Sequence, residues 1–459
     1  MKTLANNLLK GVLIGSIFLL SNCKPEELLK VTKLQTGEIT EITATTAKAS
    51  GTFVDLSGNV GSFGHCWNTT GNPTSSDSKT IVSGTAQKGS FESNLTNLTG
   101  STNYYVKAYA IDGGEAIYGN EINFITLDAP FILISNSISG TTFNVGTTLN
   151  ISWTDNISET VKIELYKGSE TIPLLIIASN DLSDGSYNWK IPILDELTTY
   201  KIKITSLTNE NIYDVSGFFT ISAPNGSTGE VNDSEGNLYK AIKIGNQWWT
   251  AENLKSTKYA SGTSIPLVED VLAWAALADN NSAKACCYYN NSSTNKDIYG
   301  VLYTWAAATN GLTSPFSVQG ICPTGWHLPS DNEWKILEMY LGMSQTDADL
   351  VDAFPRGIDE GEKLKEIGTV HWLNPNYATN ATGFSAYGAG YRYYNADILQ
   401  PGYVDDIFLG FQSYTRFWCS TEYYETDSGF ARGLRSMGKE IYRMSAYKSN
   451  GFSVRCIKD

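Results

Sequence analysis

The chain has 459 residues, 41% of them hydrophobic and 17% charged, which is enough apolar material for packed cores and too little charge for global disorder. At roughly 150 residues per domain, the length predicts about three domains. Lysine and arginine number 33 against 47 aspartates and glutamates, so the net charge is −14 with no basic block, which argues against nucleic acid and against attraction to an anionic membrane surface.

In chain order, Lys2 and Lys10 precede an apolar run that extends from Gly11 to Leu20. The run is too short for a permanent membrane helix and suits a secretory h-region. It ends in Leu20-Ser21-Asn22-Cys23, which resembles a bacterial lipobox, with Asn22 where Gly, Ala or Ser is usual. The resemblance implies that residues 1–22 are a lipoprotein signal peptide and that Cys23 is lipidated. An ordinary cleaved signal peptide is the alternative. Residues 23–27 form the tether, and Lys24-Pro25-Glu26-Glu27 resembles the surface-export signal of Bacteroidota lipoproteins. The expected location is the outer membrane with cell-surface exposure, and the expected membrane partner is reached through the N-terminal lipid.

Residues 28–127 read as all β, with short strand-like runs separated by Gly/Asn/Ser/Thr clusters. Tyr104, Val106, Ala108 and Ala110 share one strand face at period two. Leu98, Thr102 and Tyr104, with Gly64-His65-Cys66-Trp67 upstream, resemble the strand corner of a fibronectin type III domain. His65 and Cys66 have no partner at metal-ligand spacing and read as strand residues. Residues 128–222 form a second β-module, in which Val161, Ile163 and Leu165 alternate cleanly, as do Tyr200, Ile202 and Ile204. With Ile151-Ser152-Trp153 and Tyr187-Asn188-Trp189, they resemble the immunoglobulin-like module of the Ser-Thr-rich GPI-anchored family. A spacer role is expected there; direct glucan contact is the other reading. Residues 223–230, Ala-Pro-Asn-Gly-Ser-Thr-Gly-Glu, read as a flexible linker by composition.

Residues 231–459 carry eight of the eleven tryptophans. Turn signals at Glu235-Gly236-Asn237 and Gly245-Asn246 bracket an alternating strand and predict a hairpin. Asp233, Glu235 and Asn237 lack a downstream glutamate at EF-hand spacing and read as a polar turn. A helix is predicted near Trp305. A second is predicted after Ser330, which makes a capping box with Glu333 and precedes the apolar face of Trp334, Leu337 and Leu341.

The blocks Gly320 to Trp334, Asn380 to Ala386, Trp418 to Glu422 and Lys448 to Asp459, with the opening hairpin, resemble the Fibrobacter succinogenes major paralogous domain. That family resembles the C-type-lectin-like fold shared by formylglycine-generating enzymes. The expected fold class is therefore multidomain: two all-β sandwiches, fibronectin III-like and Ig-like, followed by an α+β C-type-lectin-like head. The resemblance implies a long-range disulfide between Cys322 and Cys456. Five cysteines lie in the head, so at least one lacks a partner there. Cys286 or Cys287 with Cys419 stays open as a pair. Family members usually carry Trp at the position of Cys287 and Ser at that of Cys419.

Cys419 is the isolated candidate for catalysis, with Arg416 near it in sequence. No Ser/His/Asp order, metal-spaced cluster or phosphate loop accompanies it, and no catalytic residue, metal or cofactor is assigned. The calcium-dependent sugar motifs of true lectins are missing: Gln400-Pro401-Gly402 lacks the aspartate, and Asn374-Pro375-Asn376 the glutamate. Binding or adhesion to an extracellular glycan or protein ligand is the expected function. A structural cell-envelope role and a formylglycine-generating-type catalyst are the alternatives. The predicted binding surface lies between Gly388 and Phe417, on Tyr391, Tyr393, Tyr394, Tyr403 and Tyr414. Most other head aromatics are expected to fill the core.

Overall fold

The computed structural model describes residues 31–277, 280–313, 317–393 and 407–459. Cys23, Tyr394 and Tyr403 lie outside the described residues. The fold is mostly β-sheet with short helices, and it divides into two compact units between Phe131 and Ile132. Among the described residues no helix is long and apolar enough to cross a membrane.

In the first unit, Lys33–Thr40, Ala47–Asp55 and Gly89–Leu95 form one antiparallel sheet. Val60–Asn68 and Asn103–Asp112 form the centre of a second. Alternation explains the core between them: Tyr104, Val106, Ala108 and Ala110 are buried, as their shared face predicts. Tyr104 packs with Trp67, Leu95 and Phe124. Its hydroxyl oxygen accepts the Thr99 backbone N–H at 3.0 Å, tying the corner to the strand that follows it. His65 is fully buried with Nδ1 2.7 Å from Ser93 Oγ, and Cys66 donates weakly to the Lys107 carbonyl.

The second unit begins with an Ig-like sandwich. Ile132–Ile134, Thr148–Asp155 and Ser186–Lys190 form one sheet, which packs on a larger one centred on Leu197–Ser206 and Thr160–Lys167. Val161, Ile163, Leu165, Tyr200, Ile202 and Ile204 fill the space between, with Trp153 and Trp189.

Residues 223–230 do not behave as their composition suggests. Gly226 donates to the Lys243 carbonyl, Lys243 donates back to that of Ser227, and Thr228–Asn232 is already a strand. Two glycines permit this close approach. A Cβ at Gly146, whose φ is +83°, would fall 2.1 Å from the Thr228 carbonyl oxygen, and one at Gly229 would meet Ile193 at 2.4 Å. Ion pairs Lys190–Glu230 and Lys243–Glu196 flank the junction. One apolar cluster runs continuously from the Ig-like sandwich into the C-terminal domain, so the segment is a packed joint rather than free chain.

The C-terminal domain opens with Thr228–Asn232, Leu238–Ile244 and Gln247–Thr250; where the sequence predicts one hairpin there are two in succession, turning at the two turn signals. The Asp233 carboxylate fixes the first turn by accepting from the Glu235 and Asn237 backbone N–H groups and the Tyr239 hydroxyl. Ile457–Lys458 joins the same sheet beside Gln247–Thr250, bringing the two ends of the domain together. Helices Trp305–Thr309 and Asp331–Tyr340 fall where predicted. The second carries the Ser330–Glu333 capping box and buries Trp334 and Leu337 against Trp249 and Phe384.

A second sheet, in the order Phe408–Phe411, Ala389–Arg392, Tyr414–Glu422, Ser428–Arg435 and Tyr442–Tyr447, forms the other half of the domain. Cys322 and Cys456 are disulfide-bonded across 134 residues of sequence. The open pairing of Cys286 or Cys287 with Cys419 is not made: all three are free and buried. Neighbouring strand residues point to opposite faces, so Cys286 and Cys287 enter different apolar clusters, and Cys419 lies in a third.

Candidate functional site

Strand alternation in Tyr414–Glu422 puts Tyr414, Arg416 and Trp418 on one face. Trp418 is buried and donates its indole N–H to the Tyr303 carbonyl at 2.7 Å, anchoring the strand. Toward the other end the sheet opens. The residue opposite Arg416 across the antiparallel pair is Gly433, which has no side chain to crowd the guanidinium. Gly390, with φ +65°, bridges Thr415 from the parallel neighbour and brings Tyr391 alongside. Its backbone lies so close to Tyr289 that a Cβ would fall 2.3 Å from that ring.

The Arg416 guanidinium lies 3.8 Å over the Tyr391 ring and 5.4 Å over Phe452. Burial pushes its pKa below the ordinary arginine value, opposed by the Tyr391, Tyr414 and Tyr393 hydroxyls that face it. Beside it is a cleft of about 310 Å³, whose walls include Tyr393, Glu425, Tyr447 and Asn450. The structure thus gathers three of the sequence-predicted tyrosines around one cation. Tyr393 and Tyr414 are exposed, whereas Tyr391 is half-buried and works as the platform under Arg416. The arginine itself was legible only as a neighbour of Cys419. Its alternation with Tyr414 was the available signal. Glu425 and Tyr447 come from the following hairpin and carry no local signal.

A larger cleft of about 540 Å³ lies at the joint with the Ig-like sandwich, between Lys190, Glu230, Glu252, Ser385 and Tyr387. Its Lys190 and Glu230 already pair with each other at 2.8 Å. Among the described residues, no group of three His, Cys, Asp or Glu side chains is placed to hold a metal ion.

Cys419 is not exposed at all, and burial pushes its thiol well above the ordinary range. The cation beside it is Arg432, at 3.6 Å, not Arg416. That arginine belongs to a buried network in which Glu338 pairs with Arg432 at 2.6 Å and Arg356 at 2.5 Å, and Asp331 with Arg432 and Arg443. The thiol is therefore part of the core and offers no accessible nucleophile.

These features define a multidomain architecture, in which β-sandwiches precede a mixed domain built on two five-stranded sheets. Residues 242–458 match the Fibrobacter succinogenes major domain, and residues 137–221 match the Kre9/KNH-like N-terminal Ig-like domain. No curated protein matches the chain. Among solved structures, the sensor domain of the anti-sigma factor RsgI4 in Pseudobacteroides cellulosolvens is 20% identical, with 21% of this chain and 96% of that one covered at a TM-score of 0.18. Fibronectin(III)-like modules of Clostridium thermocellum CbhA are 14% identical, covering 42% and 93% at 0.16. The chicken CNTN1 FN1-FN3 domains are 13% identical, covering 45% and 74% at 0.21. At TM-scores this low the likenesses carry no argument.

Proposed function

We propose that this chain is a lipid-anchored outer-membrane or cell-surface protein, which presents a C-type-lectin-like C-terminal domain on β-sandwich modules to bind an extracellular ligand. The observation that carries the binding reading is the open cleft around Arg416, where exposed rings surround a cation. The anchor rests on Cys23 at the end of the apolar run. A structural envelope role is favoured by a different observation, the packed joint between the Ig-like sandwich and the C-terminal domain. Retention of the purified mature protein on immobilised polysaccharides, mucin or host matrix decides between them. Binding lost in Arg416→Ala and Tyr393→Ala is the expected result. No retention on any surface of the panel favours the structural role. Protease shaving of intact cells tests display: a chain protected until the outer membrane is permeabilised overturns it.

A further inference from the structure

The chain has seven arginines, all between Arg356 and Arg455. Six have polar partners. Arg356, Arg432 and Arg443 pair with Glu338 and Asp331, and Arg435 with Glu440. Arg392 and Arg455 donate to backbone carbonyls, the first to those of Val268, Glu269 and Asp270, the second to those of Thr250, Phe384 and Ser385. Arg416 is different. Among the described residues it has neither a carboxylate nor a carbonyl partner; its close contacts are the rings of Tyr391 and Phe452, and the hydroxyls that face it are those of Tyr391, Tyr393 and Tyr414.

A guanidinium stacked on a ring keeps its edge donors free for a planar, two-oxygen acceptor. Holding that charge half-buried with no carboxylate beside it among the described residues is costly, and an incoming carboxylate would offset the cost. We propose that the Arg416 cleft binds the single carboxylate of an acidic sugar residue; this rests on the binding reading above and names its ligand class. Three features select that class. The cleft, about 310 Å³, is at the small end of ligand pockets and suits one sugar unit rather than a polymer. Tyr393, partly exposed, offers a flat amphipathic ring to a sugar face. Glu425 on the wall and the net charge of −14 oppose phosphates and polyanions, while Glu425 can accept from a sugar hydroxyl.

The test is solution binding of the purified mature protein at physiological salt to sialyllactose and to a glucuronate-capped oligosaccharide. The controls are the same sugars as methyl esters and a short glutamate peptide. The acidic sugars are expected to bind, with affinity reduced at least about tenfold by esterification and by Arg416→Gln. Arg416→Lys should recover only part of the loss, because it keeps the charge without the fork. Tyr393→Ala, on the cleft wall, should weaken binding even if the arginine variants fail to fold. Equal binding of acid and ester, or of the glutamate peptide, overturns the acidic-sugar proposal and leaves the binding reading standing. Absence of binding to either acidic sugar overturns it as well, and if the wider glycan and matrix panel is also negative the binding reading falls with it.

Discussion

The first β-module and the C-terminal domain fill their interiors differently. Among the described residues of the module at 31–131, no Asp, Glu, Lys or Arg is buried; the buried polar side chains are Thr32, Thr36, His65 and Thr126. The C-terminal domain buries Asp233, Asp331, Glu338, Arg356, Glu360, Lys365, Arg392, Arg432, Arg443, Lys448 and Arg455. The reason lies in the backbone. A sandwich pairs its peptide groups strand to strand, so alternating apolar side chains suffice for its core. The C-terminal domain contains long irregular segments whose carbonyls have no ladder partner. Its cations supply the missing donors: Lys365 Nζ alone reaches the carbonyls of Arg435, Ser436 and Gly438 at 2.7–2.9 Å. Buried charge here works as internal scaffolding, and Arg416 stands out by having no carboxylate or carbonyl partner among the described residues.

This contrast can be broken by substitution. The largest effect is expected from the Cys322–Cys456 disulfide, which closes 134 residues of chain and is worth about 5 kcal/mol in the chain-entropy picture. In Cys322→Ala/Cys456→Ala, calorimetry should show the transition of the C-terminal domain moving down while that of residues 31–131 stays in place. A common shift of both transitions would contradict the separation. Next is Glu338→Gln, which leaves Arg432 and Arg356 without the carboxylate they share and should cost about 3–5 kcal/mol, measured by urea unfolding. A loss below about 1 kcal/mol, the size of an exposed pair, would show that the network carries little.

Legibility followed the same division. Tyr104, Val106 and Ala108 announced a buried face because one-sided strands alternate, and the Ser330–Glu333 box announced a helix start because capping is local chemistry. Both signals sit within a few residues. The interior position of Arg392 or Lys365 has no such signal, since the carbonyls that hold each of them are tens of residues away in sequence and such residues usually lie outside. The packing of 223–230 has no local signal for a related reason. Gly and Ser in a row suggest free chain, and only the approach of Thr228 to Gly146 and of Ile193 to Gly229 shows them to be space-saving residues in a packed contact. Three of the candidate tyrosines converge because a short aromatic-rich stretch folds into neighbouring strands; the charge that organises them was hidden in the alternation of the third strand.

Two histidines carry the comparison into pH. Burial pushes His65 down to about 4, so in the folded module it stays neutral where the unfolded chain, near 6.5, takes up a proton. The unfolded state binds more protons between those values, so stability falls as pH drops from 6.5 to 4, by roughly 3 kcal/mol. Denaturant titration of the first module should show that loss, and His65→Leu should flatten it; an unchanged slope would mean that the ring is solvated. His327, in the C-terminal domain, has the opposite sign. Burial opposes its charge, but Glu333 at 2.8 Å and Asp459 at 2.6 Å outweigh it and raise its pKa above 6.5. Its contribution is then complete below 6.5 and lost as pH rises through the raised value. The effect should be the smaller of the two, because Asp459 is half-exposed and the pair is partly screened. Stability of the C-terminal domain should decline as pH rises above 6.5 and lose that slope in His327→Gln. A decline that persists in the variant would assign it to other groups and leave the His327 pair without weight.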